Sequence, residues 1–79
     1  MTVQHLRRID QARNMARSYE VSVQPGLFGD VAVVRHWGRI GTAGQSKEFW
    51  FTDEVQADEM IGAILRQKQR RGYELLKSP

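Results

Sequence analysis

One alternating run and the continuous apolar run that follows it constrain this chain more than anything else in it. Tyr19, Val21 and Val23 alternate with Glu20, Ser22 and Gln24 over Ser18–Gln24, which gives a strand with one apolar and one polar face. Pro25 and Gly26 stop that strand, Phe28-Gly29-Asp30 complete a hairpin connection, and the apolar run Val31–Val34 returns as its partner. Leu27 and Phe28 are more apolar than a turn requires. The expectation is that they fold back over the sheet; the alternative is a small contact patch.

The rest of the chain supplies edges and one helix. Val3–Ile9 alternates weakly and reads as a short edge strand, where charge discourages further pairing. Asp10–Arg17 has little apolar periodicity and is expected to be an irregular basic loop, free to turn Arg13, Asn14 and Arg17 toward a ligand. Ser46–Phe51 is a further strand, with Lys47, Phe49 and Phe51 on one face and Trp50 on the other, so both faces are expected to be partly covered. Thr52 reads as a helix N-cap ahead of Asp53 and Glu54, and the helix should run to about Arg71. Val55, Ala57, Met60, Ile61, Ile64, Leu65 and Lys68 approximate its buried stripe, and Gly72 marks its end. Tyr73–Leu76 is a last short strand or a tail.

Length and composition exclude several classes. Seventy-nine residues make a single domain spanning 1–79, with a small core. Without cysteine there is neither a disulfide nor a thiolate metal site, and His5 and His36 are too few for a histidine cage, so no metal or cofactor is expected. No apolar stretch approaches the roughly 18 residues of a membrane span, and no signal-peptide core follows the N-terminal charges; a cytoplasmic location is expected. No serine, histidine and acid arrangement has a distinguishing spacing, and the close acidic pairs sit where helix capping accounts for them. His36 is the one candidate general base, and the chain is expected not to be an enzyme.

The net charge of +3 is unevenly placed. Arg7, Arg8, Arg13 and Arg17 face only Asp10 in residues 1–19. Asp53, Glu54, Asp58 and Glu59 make residues 53–64 acidic, and Arg66, Lys68, Arg70, Arg71 and Lys77 face only Glu74 at the C-terminal end. Such polarity either is ordinary solvated charge or builds one positive surface for an anionic partner such as nucleic acid.

Arg35-His36-Trp37-Gly38-Arg39-Ile40-Gly41 follows the Val31–Val34 run. Alternation puts Arg35, Trp37 and Arg39 on one face, with Val34, His36 and Ile40 on the other. Two guanidinium forks flanking one indole can hold a phosphate and stack on a sugar or base. The competing reading makes Trp37 core and leaves the arginines solvated. Gly38, Gly41 and Gly44 then recur every third residue in a loop whose backbone can let a ligand approach closely. It is neither a phosphate-binding P-loop nor a dinucleotide fingerprint, because the required lysine and helix do not follow.

Trp37-Gly38-Arg39-Ile40-Gly41 with Gly44 resembles the WGR domain, and the likeness extends over Asn14–Tyr19 before the motif and Arg70-Arg71-Gly72-Tyr73 after it. The resemblance implies an α+β fold: a twisted antiparallel β-sheet of four to five strands with one C-terminal α-helix packed on it. In poly(ADP-ribose) polymerases activated by DNA breaks, this domain binds the broken end. Carried over, Trp37 would stack at a duplex end, Gly38 would let the backbone approach, and Arg39 would form the charged clamp. An asparagine-lysine pair near the terminal phosphate in that group is matched here by Ala16 and Arg17, so the charge is kept and the amide is not. Seventy-nine residues leave no room for a transferase domain or zinc fingers, so transferase activity is not expected, and the chain resembles the small stand-alone bacterial proteins of the family.

The resulting expectation is a non-enzymatic module for duplex DNA, with a preference for ends or nicks. Trp37 stacking and phosphate contacts from Arg13, Arg17, Arg35, Arg39, Arg70 and Arg71, with Asn14 and Gly38 beside them, would carry it. In a bacterium this implies association with the nucleoid. The alternative is a protein interaction module, self-associating or docked on a DNA-processing partner, through the Leu27-Phe28 tip and the polarised charge.

Overall fold

The computed structural model describes residues 3–76, as five strands and one α-helix. The elements are β1 (Val3–Asp10), β2 (Met15–Pro25), β3 (Val31–Arg39), β4 (Gln45–Phe51), α1 (Glu54–Arg70) and β5 (Glu74–Leu76). They form one open antiparallel sheet in the order β4-β3-β2-β1-β5, with the helix packed on one face. This is the α+β architecture expected from the sequence.

Register decides which side chains the helix covers. Tyr19 stands opposite both Leu6 and Trp37, Val21 opposite Arg35, and Val23 opposite Val33. Directly opposed residues share a face. The covered face therefore carries Leu6, Tyr19, Val21, Val31 and Val33, which close against Ala57 and Ile64 of α1. Leu6, Val21 and Val33 are fully buried. Each such side chain stabilises the fold by roughly 1.5–3 kcal/mol relative to exposure.

Several local expectations are corrected. The basic loop expected over Asp10–Arg17 shrinks to one 3-10 turn, Gln11–Arg13, closed by Asn14 in the left-handed conformation (φ 51°). β1 and β2 pair right up to it, from Val3↔Ser22 to Asp10↔Met15, so Arg17 is held in a strand. β3 likewise continues through Trp37-Gly38-Arg39, since Arg39 still pairs with Arg17. Leu27 and Phe28 do not fold back over the sheet; each is 93% exposed at the hairpin tip. Trp50 is 56% exposed because the helix covers only the other face, and Val55 is 66% exposed because the buried stripe begins at Ala57.

Asp53, not Thr52, caps the helix: its Oδ1 accepts from the Gln56 backbone N–H at 2.9 Å. Asp53→Ala removes that acceptor and is expected to cost about 1 kcal/mol, read as a lower thermal midpoint. At the other end the Gly72 N–H donates to the Gln69 carbonyl at 3.1 Å and the Tyr73 N–H to the Lys68 carbonyl at 3.0 Å. Gly72 (φ 92°) takes the left-handed position this C-cap needs. The reversal delivers Tyr73 beside the last turn of the helix and lets β5 pair with β1, from Arg7↔Glu74 to His5↔Leu76.

Candidate nucleic-acid interface

Beyond the helix C-terminus the covered face is open, and the strands place a row of cations there. Arg8 of β1 pairs with Arg17 of β2, and Arg17 pairs with Arg39 of β3. Three guanidinium groups thus share one face at one level of the sheet. Like charges set directly opposite one another are unfavourable in a sheet. An anion laid across them would remove the repulsion.

Under this row the sheet is aromatic. The Tyr19 and Trp37 rings lie nearly parallel, with centroids 6.2 Å apart, and Tyr73 meets Tyr19 edge-on at 6.4 Å. Lys68 reaches down from α1, its Nζ 4.5 Å from the Tyr19 ring centre and 5.4 Å from that of Tyr73. Arg17, Ser18, Tyr19, Trp37, Gly38, Arg39, Lys68 and Tyr73 line a groove of about 390 Å³. No carboxylate is among them. Burial, then the charges of Arg71, Arg35 and Arg17, hold the Lys68 ammonium below its ordinary value of 10.5.

The candidate residues divide between this groove and its surroundings. Arg17, Trp37, Gly38 and Arg39 line it. Trp37 is partly buried and packs on the core, yet one side of it faces the groove, so the core reading and the surface reading each describe part of it. Arg35 lies one level deeper: its Nε donates to the Tyr19 hydroxyl, and its guanidinium sits 6.0 Å from the Trp37 ring and 5.6 Å from Phe49. Arg39 donates through Nη1 to the Asn14 carbonyl at 3.1 Å and through Nη2 to Asn14 Oδ1 at 3.4 Å. Asn14 therefore positions Arg39. Arg71 stands close enough to bear on Lys68, whereas Arg70 and Arg13 lie outside the groove, Arg13 being 3.7 Å from Asp10.

Lys68, Tyr19, Tyr73 and Arg8 complete the arrangement. Sequence reasoning placed Lys68 on the buried stripe and gave the others no ligand role. The C-terminal Arg-Gly-Tyr pattern was the available signal, since a glycine stop turns the following tyrosine back toward the last helical turn.

The glycine loop is packed at Gly38 and Gly44 and open at Gly41. Gly44 lies against Trp37 and Gly38, and a Cβ on Gly38 would come within 2.7 Å of the Gly44 Cα. His36 points to the opposite face, where its Nε2–H donates to the Ala43 carbonyl at 2.7 Å and pins the loop. Its Nδ1 is 3.6 Å from Glu20, which also lies 3.4 Å from His5. Gly38 and Gly44 thus admit the chain's own backbone, which fixes the strand end carrying Trp37 and Arg39.

A five-stranded sheet with one helix across it, open at one end into a basic and aromatic groove, defines the class of this protein as a small α+β module. The chain belongs to the WGR domain family, whose sequence model matches residues 2–78. That family is known in nucleic-acid-binding contexts. The chain is 48% identical over 69 residues to the uncharacterized protein y4dW of Sinorhizobium fredii, an alignment covering 87% of this chain and 34% of that relative. The chain thus spans about a third of the relative's length. No solved structure matches it. Among the described residues, no helix is long and apolar enough to cross a membrane.

Proposed function

We propose that this protein binds duplex DNA without sequence preference and favours ends or nicks, as a non-catalytic module. The observation that carries this reading is the Arg8-Arg17-Arg39 row above the Trp37-Tyr19-Tyr73 aromatic floor. Cations at one level of a sheet follow a phosphate backbone, and a flat indole beside them accepts a sugar or base that a duplex presents only where it is interrupted. Binding of labelled blunt, nicked and closed circular duplexes at two salt concentrations tests it. Blunt and nicked duplexes are expected to bind more tightly than closed circles. With Arg8, Arg17, Arg39 and Lys68 on phosphates, log K should fall against log salt with a slope of about −3 to −4. Absence of binding at low salt, or equal affinity for all three forms, overturns the reading.

Lys68 adds a pH dependence. A bound phosphate favours the charged ammonium, so binding takes up a proton once the free protein has begun to lose it, below 10.5. Affinity should therefore fall as pH rises through that range, and Lys68→Arg, which stays charged, should flatten the fall.

A second reading rests on a different observation. Leu27 and Phe28, each 93% exposed, occupy the hairpin tip, roughly 27 Å along β2 from Arg17 at the usual rise per residue. Apolar side chains this exposed fit a protein partner. A partner captured after nuclease treatment and lost with Leu27→Asp and Phe28→Asp favours this reading; capture that nuclease abolishes counts against it.

A further inference from the structure

The groove holds a lysine where the surrounding basic surface is built of arginine. Of the chain's twelve basic residues, three are lysines, at positions 47, 68 and 77. Among the described residues, Lys68 is the lysine that lines the groove. Its Nζ sits over two tyrosine rings, Arg17 and Arg39 line the same cavity, and among the described residues no carboxylate lines it to hold the ammonium as an ion pair. For phosphate binding alone, an arginine fork serves at least as well. What a lysine has and an arginine lacks is a nitrogen that becomes a nucleophile once it loses its proton.

We propose that Lys68 captures the aldehyde of a base-less deoxyribose in DNA as an imine, with Trp37 and the arginine row holding the sugar-phosphate beside it. The inference rests on the DNA-binding reading and adds a substrate class to it. The groove suits such a sugar: without its base, the residue is small enough to enter about 390 Å³, and its flanking phosphates meet Arg17 and Arg39. A deoxyribose that has lost its base opens to an aldehyde at C1′, a carbonyl that intact DNA does not present. The neutral Nζ donates its lone pair to C1′ and the carbonyl π electrons move to oxygen; Nζ gives up its two protons in turn, and the oxygen takes up two, one on forming the carbinolamine and one as it leaves. The carbinolamine then expels that oxygen as water, leaving a C=N bond between Nζ and C1′. One amine and one aldehyde give one imine and one water, and no oxidant or reductant is needed. With the flanking phosphates of the base-less sugar taken by Arg17 and Arg39 and none on Lys68, burial of Lys68 and the cations around it favour the free amine this step requires.

The test uses a duplex carrying one abasic site, made by enzymatic removal of a single uracil, and its intact counterpart. Binding of both is read first by fluorescence polarisation, and borohydride is then added to reduce any imine to a stable amine. The expected result is a one-to-one adduct with the abasic duplex only, which mass spectrometry of peptides places on Lys68. Lys68→Arg should lower the adduct at least tenfold when both proteins are compared at duplex concentrations that saturate their own binding curves. Lys47→Arg should leave the adduct unchanged. Binding without an adduct, an adduct on Lys47 or the terminal amine, or an adduct that survives Lys68→Arg overturns the proposal and leaves DNA binding standing. If neither duplex binds, the DNA reading fails and the imine falls with it.

Discussion

Trp37→Ala is expected to weaken binding to blunt or nicked duplex by roughly 5- to 150-fold, because stacking on one aromatic side chain contributes about 1–3 kcal/mol per base. Binding to closed circular duplex should change far less, since an uninterrupted stack offers the indole no free sugar or base. Selectivity for ends is therefore the quantity to measure. The indole also packs on the core, beside Tyr19 at 6.2 Å, so the circular dichroism spectrum and melting temperature accompany the binding curves. Trp37→Phe keeps a flat ring and should retain an intermediate selectivity. Equal losses on ended and closed duplexes, with the fold intact, would show that the tryptophan serves the fold and not the recognition of ends.

Gly44→Ala should be among the most destabilising single-methyl additions in the chain. Gly44 has a φ of 69°, and its Cβ would press on the carbonyl oxygen of Trp37, a backbone atom within a paired strand. Left-handed strain contributes about 1–2 kcal/mol, and displacing the strand end raises the total to roughly 2–4 kcal/mol. For a chain of this size the thermal midpoint should fall by more than about 8 °C. Gly41→Ala is the matched control: its φ is 89°, but nothing lies within 4 Å of its Cβ, so only the conformational strain remains. A similar midpoint for both variants would overturn the close-packing argument.

Much of the sheet was legible because alternation is a strong local signal. Tyr19, Val21 and Val23 gave β2 its buried face, and the side assigned to Arg35, Trp37 and Arg39 is the side the register shows. What could not be read was which residues the register places side by side. Nothing in the spacing of Arg8, Arg17 and Arg39 along the chain announces that they form one row. Lys68 and Tyr73 were obscured in the same way, since each acquires its neighbours only when the helix end folds back over Tyr19. Leu27 and Phe28 were misread for another reason: apolar character predicts burial only where a surface exists to bury it, and α1 does not reach the hairpin tip.

β5 gives this molecule an order of assembly. Strands β2, β3 and β4 are joined by short connections and can zip up from contacts made within a few residues. The pairing of residue 5 with residue 76 instead closes nearly the whole chain into a loop, and its entropic cost falls on three weak, exposed residues. The meander should form first and the β1–β5 edge last, with Tyr73 and the Lys68 turn settling only at that stage. In reverse, amides of β5 and the Gly72 turn should exchange with solvent well ahead of those in β2 and β3. The wall that completes the groove would then be the part of the protein that opens most often, so a ligand held there would act as the clasp that keeps it shut.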